Sequence, residues 1–450
     1  MDLINGKIKT IYFRYFAAAF GGALIGCIYS IVDMAVVGQY HGPSGTAALA
    51  VVAPVWNIIY SLGLFTGIGG SVIFSAIRGK SDGSDERGNK YFTVAIVFSA
   101  VLAALAWAAL LLFAKPIFVL FGASDAEILA LACEYVKPIK YTFPLFLFNQ
   151  TLAAFLRNDG DPGLATAGVL AGGVFNVFGD FFCTFGLNMG IYGAGLATAI
   201  GGAVTFLVLI THFFKRKNTL KLVKPDGFLG KVGEISAAGF SSFFVDVAMG
   251  ILTVVFNRQI MKYLGADALA VYGPIINIST FVQCCAYGVG QASQPVISVN
   301  YGAGKSDRIR ETLKYALATT AVFGIFWTAL GCAAPNMFVR IFMSPTERIL
   351  EIAPAIIRTY SVSFFLLPFN VFSTYYFQSV MKPAAAFVVS VLRGLVISGA
   401  LIMTLPLISP SAIWLAMPVT EALVAVFVAV MLVRYTKKSF ANNSTETATR

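Results

Sequence analysis

The chain contains two copies of one hydrophobic unit, and this duplication limits its possible folds more than any other feature. The pattern GxxALAVxxPxxNI spans Gly45 to Ile58 and returns 220 positions later, from Gly265 to Ile278. Pro162 returns as Pro383, 221 positions later. The offset is close to half of the 450 residues, so the chain is predicted to be two repeats of one unit. Duplicated hydrophobic units are typical of membrane transporters.

Composition places both copies in a membrane. The chain is 58% hydrophobic and 12% charged, against roughly 25% charged residues in soluble proteins. Windows of about 20 residues, the length of a membrane-spanning helix, identify twelve apolar stretches. These stretches run approximately over 11–38, 47–77, 91–120, 128–157, 163–187, 190–214, 232–263, 267–298, 313–342, 349–379, 384–408 and 412–434. The predicted fold class is an all-α integral membrane protein with twelve transmembrane helices.

Six helices in each copy predict two lobes with the same orientation. Because six is even, both copies enter the membrane in one direction, and a pseudo-two-fold axis along the membrane normal should relate them. The expected divisions are an N-terminal lobe at 1–214, a cytoplasmic linker at 215–231, a C-terminal lobe at 232–438 and a disordered cytoplasmic tail at 439–450.

The basic residues predict the orientation. If the N-terminus lies inside the cell, most lysines and arginines fall at the cytoplasmic ends of the predicted helices. The linker KRKNTLKLVKPDGFLGK then lies on the same side. The positive-inside rule therefore places both termini in the cytoplasm of a multi-pass protein of the cell inner (plasma) membrane. The net charge of +11 reflects this bias, so it predicts contact with membrane lipids rather than with nucleic acid.

Acidic side chains inside apolar helices are costly, by roughly 2.5–3.5 kcal/mol each, and therefore indicate function. Asp33 lies near the end of the first stretch and Asp180 near the end of the fifth, four residues after Asn176. Thr198 lies early in the sixth stretch. All four should lie at a similar depth, where their oxygens could bind a cation or a proton. The position opposite Asp33 in the second copy is Thr253, so the site is predicted in the first copy alone.

Two further acids lie in the second copy. Asp246 and Glu421 each fall within an apolar stretch, and both are candidates for substrate recognition or secondary ion coupling. Arg393 also lies in an apolar stretch and is expected to pair with a carboxylate that the sequence does not identify. The histidines, His41 and His212, stand isolated at helix ends and suggest no role.

The motifs of enzymes are missing from the sequence. It contains no Walker motif, HExxH or GxSxG, and its cysteines show no metal spacing. The chain is therefore predicted not to be an enzyme, to need no cofactor and to hold no structural metal. Without an ATPase, uphill transport would use an ion gradient, with H⁺ or Na⁺ as the coupling ion.

Several longer segments resemble the MATE (multidrug and toxic compound extrusion) transporters, and among them the MepA-like bacterial branch. They are IVDMAVVGQYHG, LRNDGDPGLA, NVFGDFF with GLNMGIYGAGLAT, VGQASQPVISVNYGAGK and YFQSVMKP. The resemblance as a whole extends over essentially the whole chain. The resemblance implies two six-helix lobes around a V-shaped central cavity and drug/cation antiport. It also implies an ion site in the first lobe that matches Asp33, Asn176, Asp180 and Thr198, and an acid in helix 7 that matches Asp246.

The predicted function is a secondary multidrug efflux antiporter. It would export small-molecule drugs or toxic organic cations in exchange for H⁺ or Na⁺ by alternating access, confer antibiotic resistance and act as a monomer. The alternative within the same superfamily is a lipid-linked oligosaccharide flippase, which should line its cavity with several arginines and lysines. An intramembrane enzyme would need paired catalytic groups, and a channel or receptor would not transport against a gradient.

Overall fold

The computed structural model describes residues 2–80, 86–123, 125–342 and 345–447, apart from the side chains of Cys27 and of residues 435–447. The chain divides into two compact units. The first contains Ala17–Phe243, and the second combines Leu3–Phe16 with the chain from Phe244 onward. The first helix and the seventh each begin in one unit and end in the other.

All regular structure in the described residues is helical, which confirms the all-α prediction. The first part of the chain forms α1 (Ile8–Lys80), α2 (Glu86–Leu120), α3 (Ala126–Ile139), α4 (Phe143–Asn158), α5 (Pro162–Phe181), α6 (Gly190–Ile210) and α7 (Phe228–Tyr263). The rest forms α8 (Ala266–Gly302), α9 (Ser306–Ala333), α10 (Pro335–Phe342), α11 (Glu347–Ser361), α12 (Ser363–Ser379), α13 (Pro383–Val391), α14 (Ile397–Ile408) and α15 (Ala416–Thr447). Single π-helical turns follow α5 and α13, at Phe182–Gly186 and Leu392–Val396.

Ten helices in the described ranges are long and apolar enough to span a membrane, and two details account for the twelve predicted crossings. Helix α1 has 73 residues, far more than the roughly 20 that one crossing needs. It bends at Gly42, where φ is 62° and ψ is −149°, and so separates into the stretches predicted at 11–38 and 47–77. Helices α3 and α4, of 14 and 16 residues, together form the stretch predicted at 128–157.

The duplication is visible in the positions of the helix breaks. The fourth crossing is interrupted between α3 and α4 at residues 140–142, and its counterpart is interrupted between α11 and α12 at Val362, about 221 positions later. In both copies the next helix begins at a proline, Pro162 and Pro383. Proline has no N–H to leave unpaired at the first helical position, so it suits this start.

The bounds of the two units differ from the predicted lobe boundaries. The first unit extends through the predicted linker at 215–231 into α7, and the second includes the N-terminal segment Leu3–Phe16. The carbonyl oxygens of Leu3 and Gly6 accept hydrogen bonds from Arg308, which attaches this segment to the second unit. Residues 439–447, predicted as a disordered tail, are helical, and 448–450 lie outside the described residues.

A charge cluster at the end of α4 attaches the linker to the first unit, and it shows that the interpretation of His212 as isolated was wrong. The His212 ring is fully buried between two carboxylates. Its Nε2 lies 2.7 Å from Asp159 Oδ2 and its Nδ1 lies 3.2 Å from Asp161 Oδ2. Asp159 also accepts hydrogen bonds from Arg78, at 2.5 Å, and from the Thr219 backbone, at 3.0 Å. Sequence alone could not show that these segments meet.

The same cluster predicts an acid-dependent stability. Burial alone would raise the pKa of Asp161, but the hydrogen bonds from Lys217, Lys215 and His212 outweigh it and lower this pKa to about 2. Because Asp161 binds a proton more weakly in the folded protein, its ionised carboxylate stabilises the fold fully at pH values above the ordinary pKa of 3.8. This contribution is lost as the pH falls through about 2. We therefore expect Asp161→Asn to destabilise the protein at about pH 5 and to differ less from wild type at about pH 2.

Thermal unfolding of both proteins over a series of pH values would measure this change. Asp307→Asn is a suitable control, because the Asp307 side chain is 97% exposed. A stability difference that stays constant over the whole series would contradict the expectation.

Glycines allow α5 and α6 to pack backbone against backbone. A Cβ atom at Gly172 would collide with the hydroxyl of Thr205 and the carbonyl oxygen of Gly201. On α6, a Cβ at Gly195 would collide with the carbonyl oxygen of Tyr135, where α3 approaches. These contacts bring polar side chains of three helices within hydrogen-bond distance of each other.

Candidate functional site

The four residues predicted as one site in the first copy are joined by a chain of hydrogen bonds. The Tyr135 hydroxyl donates to Asp33 Oδ2 at 2.7 Å and lies 3.3 Å from the Thr198 hydroxyl. The Asn176 amide nitrogen donates to Thr198 Oγ1 at 3.1 Å and to Asp180 Oδ1 at 3.4 Å. The chain therefore runs from one carboxylate to the other through a phenol, a hydroxyl and an amide.

The donors in this chain are used up, while several acceptors remain free. Tyr135 gives its only O–H to Asp33, and Asn176 directs its NH₂ group at Thr198 and Asp180. Three buried oxygens, Asp33 Oδ1, Asn176 Oδ1 and Asp180 Oδ2, have no hydrogen-bond partner among the described residues. Buried acceptors without a donor are unfavourable. The arrangement is suited to receive a proton or a cation with oxygen ligands.

Each side chain reaches the site for a local reason. Asn176 and Asp180 are four residues apart on α5, so both occupy one face of that helix, and both are buried. Directly after them the chain forms the π-helical turn Phe182–Gly186. Such turns occur often at functional sites. Thr198 lies on α6, which the glycine contacts hold close to α3 and α5.

Tyr135 is the residue that sequence reasoning missed. It is only 2% exposed and lies on α3, within the fourth apolar stretch. A tyrosine in an apolar helix resembles an ordinary packing residue, because its hydroxyl is far less costly to bury than a charge. Its position along the fourth crossing, at a depth like those of Asp33 and Thr198, was the signal that could have identified it.

A cavity of about 290 Å³ in the first unit opens beside this chain. Asp33, Tyr135, Asn176 and Thr198 all contribute to its wall. The other lining residues are aromatic, amide, hydroxyl or small apolar ones, and they include Tyr29, Trp56, Tyr60 and Phe146. Among the described residues, the wall thus contains one carboxylate and no lysine or arginine. An aromatic cavity with a single acid is suited to organic cations.

Asp246, the first candidate in the second copy, also accepts a hydrogen bond from a buried phenol. The Tyr287 hydroxyl donates to Asp246 Oδ1 at 3.0 Å, and the Gln283 amide donates to the Tyr287 oxygen at 2.5 Å. The Tyr287 ring lies edge-on to that of Tyr375, with centroids 6.1 Å apart. Asp246 therefore belongs to a polar group on α7 and α8 of the second unit.

Glu421, the second candidate, is fully buried and is the partner of Arg393 that the sequence left unidentified. Arg393 Nε donates to Glu421 Oε1 at 2.8 Å. The Asn370 amide donates to Glu421 Oε2 at 2.6 Å. Both carboxylate oxygens are thus occupied, unlike those of Asp33 and Asp180. Glu421 is therefore a less suitable ion-coupling residue than either.

No group of three or more histidine, cysteine, aspartate or glutamate side chains in the described part of the chain could hold a metal ion. The oxygen atoms of the first-copy site are instead hard ligands from two carboxylates, an amide and hydroxyls. Such ligands fit Na⁺ or a proton better than a transition metal.

Comparison with known proteins places the chain among membrane exporters. The MatE family profile matches residues 19–182 and 240–402, one match in each repeat. The multidrug export protein MepA of Staphylococcus aureus (strain MRSA252) is 25% identical over 422 residues, covering 92% of this chain and 90% of that protein. MepA of Staphylococcus haemolyticus (strain JCSC1435) is 26% identical over 381 residues, covering 84% and 82%.

Solved structures share the fold over nearly the full length. An outward-facing multidrug resistance MATE transporter of the MOP superfamily superposes with a TM-score of 0.88 at 20% identity, covering 98% of each chain. A MOP superfamily transporter from Pyrococcus furiosus superposes with a TM-score of 0.87 at 20% identity, covering 97% of this chain and 98% of that chain. For that transporter, the reverse polarity of the binding pocket suggests a different function. The fold is therefore shared by proteins whose pockets differ in charge.

Proposed function

Because this chain belongs to the MatE family, we propose that it is a secondary multidrug efflux antiporter. It exports amphipathic, mostly cationic compounds in exchange for H⁺ or Na⁺ by alternating access. As a family member it is a multi-pass membrane transporter, not an enzyme, and it needs no cofactor. We further propose that it works as a monomer among membrane lipids.

The observation that supports this proposal best is the pair of acids at the two ends of one buried hydrogen-bond chain. Asp33 and Asp180 each keep an oxygen atom with no hydrogen-bond partner in the part of the chain that the structure describes, so the site gains hydrogen bonds or ion contacts when it takes up H⁺ or Na⁺. Asp33 also lines the cavity of the first unit. An organic cation in that cavity and a coupling ion at Asp33 would therefore compete for one charge. Competition of this kind links the release of drug to the uptake of the ion.

The charge of the first cavity also argues against the flippase. A flippase that carries anionic lipid-linked sugars needs basic groups in its cavity. The wall of the first-unit cavity has a carboxylate and no basic side chain. The fold alone cannot make this distinction, because transporters of different pocket polarity share it.

Ethidium export from proteoliposomes tests the proposal. H⁺ and Na⁺ gradients are imposed one at a time on vesicles that contain the purified protein. We expect one of the two gradients to drive ethidium uphill and dissipation of that gradient to stop it. Ethidium movement that follows only its own concentration gradient would contradict antiport.

Asp246 is expected to influence the choice of drug. Its carboxylate belongs to the second unit and accepts a hydrogen bond from Tyr287. We expect Asp246→Asn to change the relative export rates of different cationic drugs by about tenfold while the ion dependence stays as in wild type. Export assays with a panel of cations at several pH and Na⁺ values would measure both. An unchanged drug profile with normal transport would assign Asp246 a structural role.

The orientation of the chain is a separate proposal. We expect both termini in the cytoplasm, because the basic residues concentrate on that side. In a background without native cysteines, Ser439→Cys should react with an impermeant maleimide only after the cells are permeabilised. Pro43→Cys, at the bend of α1, should react in intact cells. The reverse pattern of labelling would overturn this orientation.

A further inference from the structure

The linker between the two repeats, residues 215–231, follows a fixed course along the first unit. The Lys221 backbone N–H donates to Asn89 Oδ1 at 3.0 Å. Two residues later, the Val223 backbone N–H donates to Thr93 Oγ1 at 2.9 Å. Both acceptors lie near the start of α2. The linker therefore runs beside the beginning of a membrane-spanning helix and does not project away from the protein.

The contacts with α2 also give the linker a depth in the membrane. The apolar stretch of this helix begins at about residue 91, so Thr93 lies close to the boundary between the headgroups and the hydrocarbon. The hydrogen bond from the Val223 backbone places the middle of the linker at the same level. The linker is therefore in a position to meet lipid headgroups.

Three large apolar side chains in or beside the linker point away from the protein. Phe214 is 85% exposed, Leu222 is 70% exposed and Leu229 is 82% exposed. Leu222 lies between the two residues whose backbones bind α2, so the linker cannot rotate to bury it. Apolar groups of this size are unfavourable in water and favourable at the edge of the acyl chains of a bilayer.

Three basic side chains of the same segment have no counterion. Arg216, Lys221 and Lys224 are exposed, and their side-chain nitrogens have no hydrogen-bond or ion-pair partner in the part of the chain that the structure describes. The acids beside them already contact other lysines, in pairs that are Asp161 with Lys215 and Lys217, and Asp226 with Lys90 and Lys231. The positive charge is therefore available to an anion from outside the protein.

We propose that this surface binds anionic phospholipids. It consists of Phe214, Arg216, Lys221, Leu222, Lys224 and Leu229, and we name it the linker surface. Headgroup phosphates accept hydrogen bonds from the three bases, and the apolar side chains enter the acyl-chain region beside them. The linker surface lies outside the cavity of the first unit, and its occupation depends on neither the coupling ion nor the drug.

The depth of the linker favours a lipid over an acidic protein from solution. Both ligands would be attracted by the three bases. An acidic protein, however, would have to reach the level of Thr93 and would leave its own charges beside Leu222. A phospholipid presents a phosphate next to an acyl chain, in the same order as the alternating bases and apolar groups of the linker.

A fluorescent reporter at position 222 tests the proposal. Leu222→Cys is labelled with the fluorophore NBD in a full-length background without native cysteines. This parent protein is placed in phosphatidylcholine nanodiscs that contain equal small fractions of either phosphatidylglycerol or phosphatidylcholine with a nitroxide on the acyl chain. We expect the phosphatidylglycerol to quench NBD about threefold more strongly, because three bases attract it. The preference should decline at high salt, which screens these charges.

A charge-free variant assigns the preference to the bases. It combines Arg216→Gln, Lys221→Gln and Lys224→Gln. Quenching by the two lipids should become equal, while thermal unfolding stays as in the parent, because no ion pair is lost. The matched control removes three exposed bases of the second unit and combines Lys7→Gln, Lys9→Gln and Lys314→Gln. This control should keep the preference of the parent.

An excess of soluble glycerol phosphate distinguishes a lipid from a free phosphate. The preference should survive it, because the soluble compound lacks the acyl chains that contact the apolar side chains. Loss of the preference would show that the linker surface binds phosphate alone and would overturn the assignment to a lipid.

Four further outcomes would overturn the proposal. They are equal quenching by the two lipids in the parent, a preference that does not respond to salt, a preference that survives in the charge-free variant, and NBD emission typical of water without quenching by either lipid. The last outcome would leave the surface to a partner from solution. None of them bears on cation antiport, because the assay involves neither a gradient nor a drug.

Discussion

Asp33→Asn and Asp180→Asn are each expected to abolish gradient-driven drug export while the protein still folds. Drug binding should remain through the aromatic cavity wall, although Asp33→Asn should weaken it because the acid of that wall is lost. The amide oxygen of an asparagine can still accept the hydrogen bond from Tyr135 at position 33 or from Asn176 at position 180. The side-chain volume is also kept. What is lost is the ability to exchange a proton and most of the attraction for a cation. Export should fall by at least about 100-fold, because coupling needs a charge that the ion neutralises.

The measurement has two parts. Ethidium export is followed in proteoliposomes under the gradient that drives the wild type, and drug binding is followed with purified protein at several pH and Na⁺ values. Reciprocal linkage requires that drug binding to the variants loses its dependence on the coupling ion. Asp307→Asn, on a fully accessible side chain, provides the matched control. Wild-type export rates in both variants would show that coupling takes place elsewhere.

The second large effect concerns the stability of the second unit. Arg393→Gln alone leaves Glu421 fully buried, with Asn370 as its side-chain hydrogen-bond donor and no countercharge. Breaking a buried ion pair in this way typically lowers the free energy of unfolding by about 3–5 kcal/mol. The combination of Arg393→Gln with Glu421→Gln should recover most of that loss, because two neutral amides replace the pair.

Thermal unfolding in detergent distinguishes these cases. Arg348→Gln breaks an exposed pair of the same residue types, and it should change the free energy of unfolding by less than about 1 kcal/mol. If Arg393→Gln were no more destabilising than Arg348→Gln, the Arg393–Glu421 pair would contribute little to the fold. If the double variant were as unstable as the single one, the loss would come from packing rather than from charge.

The sequence predicts the number and type of helices well, because the cost of exposing polar backbone to lipid leaves few alternatives. It does not predict where those helices break. The stretch at 128–157 is predicted as one span, yet it contains the break between α3 and α4, which lies beside Lys137, Pro138 and Lys140. The stretches at 11–38 and 47–77 are predicted as separate helices, and the non-helical backbone at Gly42 does separate them within α1. Helix breaks depend on packing between helices, which hydropathy does not report.

Some residues of the candidate site could be predicted from the sequence and others could not. Asp33, Asn176, Asp180 and Thr198 could be selected because charge and amide groups are conspicuous in apolar helices. Tyr135, which joins them, is inconspicuous because aromatic residues are common there. Contacts between distant segments are also hidden in a single sequence. This is why the partner of Arg393 was unidentified and why His212 looked isolated although it lies between Asp159 and Asp161.

The close packing of α5 against α6 has a consequence for how the two repeats could diverge after duplication. In the first repeat no side chain fits at Gly172, because Thr205 and the backbone of Gly201 occupy the space. In the second repeat the corresponding position accommodates Arg393. Single substitutions could thus introduce a guanidinium into one repeat but not into the other. The spacing between neighbouring helices therefore decides which repeat can carry a charged side chain at this position, whatever the two repeats bind.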